Sequence, residues 1–317
     1  NLDDVTNGGL TGEAQTSYIA INLNAADNTR ANDGVYQDGL EAERLVKAAY
    51  FFFFDNAGNA FPVTAVTGNP ATAPDATGVN WISANLNNIG SETPNVSDIK
   101  DAVLVLSTYE GTFPSQIVAV INWDPTAQAS YTLDNLKEKV SALGNATDGF
   151  VMSNAVYADN ANQVVDAVVL ANANIGKTAA EALANPVTIH VERVAAKVVF
   201  TAENSGKFDV EKEIEGKKVY AQIKGFELFN DYQESWLIKR IDKSWTDMGF
   251  NWNDADWFRS YWAQSLDEEF DANTFAWTTD NTAIDGYVYC GENTRAWTTD
   301  ADVRTKVVVK AQLVDND

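Results

Sequence analysis

The run Ala48-Ala49-Tyr50-Phe51-Phe52-Phe53-Phe54 sets the tightest limit on what this chain can fold into. Four consecutive phenylalanines, closed by Asp55-Asn56-Ala57-Gly58, leave no polar side to turn toward water. A short apolar run between turn residues reads as a strand buried on both faces. Such a strand needs a sheet around it and cover above and below. Hydrophobic residues make up 45% of the 317 residues, enough for a core of that size.

The rest of the chain reads mostly as further strands. From Ser17 to Asn24, Ile19, Ile21 and Leu23 alternate with Tyr18, Ala20, Asn22 and Asn24, a period of two with one strongly apolar face. Residues 1–16 are rich in Gly, Asn, Asp and Thr and read as a flexible leader, and the polar stretch Ala25 to Gly39 contains Arg30. Strands are expected over 101–108, 116–123, 218–230, 234–241 and 305–313, and over 187–200 as one strand or two joined by a bulge. An amphipathic helix is expected over 132–143, capped by Thr132 or Asp134, and a second short one over 177–184. The polar stretch 202–216 reads as a linker. The expected fold is mainly β: two β-sandwich-like domains with a few short helices in the N-terminal one. Residues 1–30 form a leader with the first strand, 31–205 the N-terminal domain and 206–317 a C-terminal β domain.

Charge and composition narrow the chemistry. A net charge of −23 repels nucleic acid phosphates, so no nucleic acid partner is expected. No run of about 18 apolar residues occurs that would serve as a membrane-spanning helix. The chain begins at Asn1 in a polar stretch, as expected where an export signal has been removed. The single histidine, His190, lies inside a strand pattern, which speaks against His-ligated zinc and Ser-His-Asp catalysis. No Gly-rich phosphate cradle is present. The expectation is a protein without catalytic residues, cofactor or metal, and no enzyme. Asn251-Trp252-Asn253-Asp254-Ala255-Asp256 offers oxygen ligands at alternate positions, yet lacks the Gly and distal Glu of a calcium loop and reads as a polar loop.

Seven of the nine tryptophans fall between Trp236 and Trp297. Trp257, Trp262, Trp277 and Trp297 stand near Asp and Asn and could form a glycan platform, or fill the core of a small β domain. Ala276-Trp277-Thr278-Thr279-Asp280 recurs as Ala296-Trp297-Thr298-Thr299-Asp300, and two copies do not make a solenoid.

Four segments, in this order, resemble the type V pilins, the fimbrillins of anaerobic bacterial surfaces. They are Ser17 to Leu23 followed by Thr29 to Gly34, the aromatic strand from Glu43 to Gly58, Val191 to Val198, and Tyr289 to Thr294 before the strand 305–313. The resemblance implies a lipoprotein precursor that is exported and attached to the outer membrane, and then an extracellular fimbrium serving adhesion and biofilm formation. It implies that an arginine-specific protease cuts behind the first strand, here at Arg30-Ala31. The lost strand would carry Tyr18, Ile19, Ile21 and Leu23, and a strand from a neighbouring subunit would fill the apolar groove. The implied partners are like subunits, accessory pilins and a host or bacterial surface ligand. Arg30 by itself would read as an ordinary surface arginine.

Two departures stand out. The chain stops at Asp317, soon after strand 305–313, where family members continue; the C-terminal domain is therefore expected to be incomplete. The lipid-bearing cysteine is missing, and Cys290 reads as a buried small hydrophobe. The rival expectation is a non-polymerising glycan-binding surface lipoprotein that uses the Trp-rich region.

Overall fold

The computed structural model describes residues 13–25, 40–65, 78–84, 99, 102–158, 164–241, 265–266, 286–294 and 303–315. The chain is mainly β, with two short α-helices among the described residues. It divides into two compact units. The first holds the described residues through Val194 together with 236–241; the second holds the others.

The first unit is built on one ten-stranded sheet. Its strands are β1 (Ala14–Ala25), β2 (Ala49–Phe54), β3 (Thr64–Ala65), β4 (Trp81–Ser83), β5 (Ala102–Tyr109), β6 (Gln116–Ile121), β7 (Met152–Asn154), β8 (Val168–Val169), β9 (Ile175–Gly176) and β10 (Val187–Arg193). The order across the sheet is β3-β5-β1-β10-β7-β6-β2-β4, with β8 beside β6 and β9 beside β1. Alternation decides which side chains meet, because successive residues point to opposite faces. Ile19, Ile21 and Leu23 of β1, Leu104 and Leu106 of β5, and Val187, Ile189 and Val191 of β10 enter one core. Met152 of β7, Ile117, Ala119 and Ile121 of β6, Phe51 and Phe53 of β2, and Ile82 of β4 complete it.

The phenylalanine run is buried on both faces, as its composition requires. Phe51 and Phe53 enter the core, while Phe52 and Phe54 are equally buried on the other side. There Phe52 meets Tyr131 edge-on at 5.6 Å, and Trp123 meets Tyr131 at 5.9 Å. This second aromatic layer is held by Asn80, which is fully buried. Asn80 Nδ2 donates to the carbonyls of Phe53 and Tyr131, both at 2.9 Å, and its Oδ1 accepts from Tyr131 N at 2.9 Å. Asn80→Ala would remove the side-chain partner of Tyr131 N and Tyr131 O away from water, while Phe53 O keeps its bond from Phe61 N. It is expected to lower stability by about 2–4 kcal/mol, read as a fall in the urea midpoint with unchanged slope.

Helix α1 (Leu133–Lys137) is shorter than the sequence pattern suggests. Thr132 caps it, its Oγ1 accepting from Asn135 N at 3.1 Å. The chain turns extended at Val140, after Lys139 O has accepted from Leu237 N at 2.8 Å. A tertiary partner for the backbone therefore overrides the local helical pattern. Helix α2 (Ala179–Ala184) falls where it was expected.

In the second unit, β11 (Ala196–Val199) pairs antiparallel with a later strand, and β12 (Lys207–Ile214) pairs with β13 (Lys217–Phe229). The partner of β11 is β14 (Tyr287–Cys290), and β15 (Lys306–Val314) pairs with the far edge of β13. The stretch 187–200 is thus two strands, β10 and β11, in different sheets. The polar stretch 202–216 is no linker: most of it forms β12. Its residues are largely exposed, so the apolar alternation that marks a half-buried strand is missing from the sequence.

Candidate strand-exchange groove

β1 lies in the interior of the sheet. One edge pairs antiparallel with β5, from Ala14 opposite Tyr109 to Ile21 opposite Ala102. The other edge is shared. Tyr18 and Ile19 face Gly176 and Ile175 of β9, and Ile21 to Ala25 run parallel to Val187 to Val191 of β10. Ser17, Ile19, Ile21 and Leu23 share the core face, at 2%, 0%, 0% and 1% exposure. Full burial of such aliphatic side chains contributes roughly 1.5–3 kcal/mol each. Tyr18 is half-buried on the opposite face.

The first turns of β1 are tied down by a residue that the sequence pattern assigns to a flexible leader. Gln15 Nε2 donates to Thr108 Oγ1 at 3.0 Å and Thr112 O at 3.1 Å, and Gly111 N donates to Gln15 Oε1 at 3.3 Å. Glu110 N donates to Glu13 O at 2.8 Å. The strand therefore starts at Ala14 rather than Ser17. Residues Ala14 to Thr16 carry no apolar alternation, which is why the sequence hides this end.

The hold on β1 is not complete. Asn22 Oδ1, on the strand, and Ser107 Oγ, on the adjoining β5, are buried without a hydrogen-bond partner. Each such group costs on the order of 1–3 kcal/mol.

Arg30 and Ala31 lie outside the described residues, as do Trp257, Trp262, Trp277 and Trp297 and the loop 251–256. His190 sits on the exposed side of β10. Among the described residues no cluster of three or more His, Cys, Asp or Glu could hold a metal ion, and no helix is long and apolar enough to cross a membrane.

Cys290, in the second unit, is buried opposite Ala196. Burial, with smaller contributions from Asp231 and Glu292, pushes its thiol up to about 11. The raised value means that the folded unit disfavours the thiolate. This contribution is fully present below the ordinary thiol range, about 8.5, and is lost as pH rises through about 11. Cys290 is expected to resist iodoacetamide at pH 8 in the native protein and to react promptly in urea. Rapid native labelling at pH 8 would contradict this.

No protein-family model matches the sequence, and no curated protein matches it. Among solved structures, the chain is similar to a fimbrial assembly protein from Parabacteroides distasonis, at 12% identity and a TM-score of 0.47, covering 95% of this chain and 83% of that one. It is also similar to a candidate cell adhesion protein from Bacteroides eggerthii, at 11% identity and a TM-score of 0.42, covering 97% of this chain and 77% of that one.

Proposed function

We propose that this chain is a structural subunit of a cell-surface fimbria, and no enzyme, and that it polymerises by exchanging β1 for a strand of a neighbouring subunit. The observation that carries the reading is the place of β1. It is the first strand of the sheet in sequence, yet it lies between β5 and β10 with three aliphatic side chains fully inside the core. A single cut behind it frees the strand from the rest of the chain. Arg30 is the only arginine before Arg44, so an arginine-specific protease has one target in that interval. The emptied slot would expose the backbone edges of β5 and β10 above an apolar trough. That is the arrangement that strand addition fills: main-chain hydrogen bonds supply the pairing and alternate side chains fill the core row.

Secretion as an outer membrane-attached lipoprotein precursor, assembly with like and accessory subunits, and adhesion to a host or bacterial surface belong to the same proposal. They rest on the sequence resemblance. The test is limited digestion with an arginine-specific protease, followed by mass spectrometry and size exclusion. A cut after Arg30 with loss of the first 30 residues, or growth of oligomers, is the expected result. A resistant Arg30, or a cut monomer that keeps β1 in place, would overturn strand exchange and favour the non-polymerising glycan-binding protein.

A further inference from the structure

The slot that holds β1 is roofed on its outer side. Ala20 points away from the row of Ile19 and Ile21, yet it is fully buried. Helix α2 lies against both β1 and β5, and its buried Ala182 is no member of the inner core cluster, so α2 covers the outer face; β9, which leads into it, pairs with Tyr18 and Ile19 along one edge of β1. Within the segment from Ala171 to Asn185 the buried residues are Gly176 and Ala182, the smallest side chains available.

A Cβ at Gly176 would stand 2.6 Å from Ala182 N and 2.7 Å from Thr178 O, so the turn into α2 is wound tightly on its own backbone. Thr178 Oγ1 accepts from Glu181 N at 3.2 Å, and Lys177 N donates to Glu181 Oε2 at 2.7 Å. The two ends of the segment are tied together. Ala171 N donates to Asn174 Oδ1 at 2.8 Å, and Asn174 Nδ2 donates to Asn185 O at 3.0 Å. Ala20 is fully buried, so a larger side chain there would have to displace its neighbours. Overpacking of that kind is strongly unfavourable.

We infer that residues 171–185 act as a size filter over the strand slot, admitting only a strand with a residue no larger than alanine at the position of Ala20. The inference rests on the strand-exchange reading, because only then does a foreign strand enter. It gives the groove a selectivity that the core row lacks: many aliphatic strands would satisfy the row of Ile19, Ile21 and Leu23, and few would also present a small residue at the intervening roofed position. The strand would thereby be fixed in register, since a shift by two residues along the slot would bring Tyr18 or Asn22 under the roof.

The test uses the full chain cut at Arg30 and incubated with labelled synthetic peptides of residues 14–25. Peptide uptake is read by size exclusion. The unaltered peptide is expected to bind, and its Ala20→Leu version to bind at least about tenfold more weakly. A Tyr18→Leu peptide, altered at the half-buried position on the same face, is expected to stay within about threefold of the unaltered one. Equal uptake of the unaltered and Ala20→Leu peptides would overturn the filter while leaving strand exchange standing. Equal loss with Tyr18→Leu would also overturn it, because sensitivity would then not be confined to the roofed position. A cut chain that takes up no peptide at all would overturn strand exchange, and the filter with it.

Discussion

Phe53→Ala is expected to lower the stability of the first unit by about 3–5 kcal/mol. Phe53 is fully buried in the core cluster, on a strand that pairs with β6 on one edge and β4 on the other. The truncation removes most of a ring from an interior whose neighbours are fixed by the pairing of β2, so the cavity cannot close. The backbone is spared: Phe53 N still donates to Asn80 O, and Phe61 N still donates to Phe53 O. The loss therefore measures packing. Phe53→Leu, which keeps much of the volume, should cost about half as much. The informative comparison is Phe52→Ala. On a half-exposed strand, one of two neighbouring positions tolerates truncation. Here Phe52 is as buried as Phe53, against Tyr131 at 5.6 Å and Trp123 at 6.5 Å. Its loss should also cost about 3–5 kcal/mol. Urea midpoints at constant slope would check all three, and a Phe52→Ala cost below about 1 kcal/mol would show that the outer aromatic layer contributes little.

Ile21→Ala is the second change with a large expected effect, about 2–5 kcal/mol. Ile21 pairs with Ala102 of β5 on one edge and with Val187 of β10 on the other, and it is fully buried. Its removal opens a hole where three strands meet. The neighbouring Tyr18, half-buried on the other face, should cost far less as Tyr18→Leu, within about 1.5 kcal/mol. Hydrogen exchange separates this from a general loss of stability. Under strand exchange, β1 amides in the Ile21→Ala protein should lose protection before those of β2 and β6 do, because β1 is the strand built to leave. Uniform loss across the sheet would argue that β1 is an ordinary, permanent member of it.

Much of the fold was legible because its physics is local. The Phe51–Phe54 run, the alternation of Ile19, Ile21 and Leu23, and the Thr132 cap each carry their signal within a few residues, and all three are found in the structure. Two of the misses share one cause, which is that the missing information is non-local. Ala14 to Thr16 joins β1 through the contacts of Gln15 with Thr108 and Thr112, over ninety residues away. β12 has no apolar alternation because it is largely exposed. Helix α1 stops early where Leu237 takes the carbonyl of Lys139.

That the chain is mainly β, with an interior strand at Phe51–Phe54 and an apolar-faced strand near its start, can be read from the residues alone. Period and composition suffice for that. That the early strand is central emerges only from the long-range pairing, since partners at Ala102 to Tyr109 and Val187 to Val191 leave no mark within β1. The complete burial of Ala20 likewise emerges only from the tertiary structure. Helix α2, which lies against β1, is more than 150 positions further along, so the chain must fold before the two can meet.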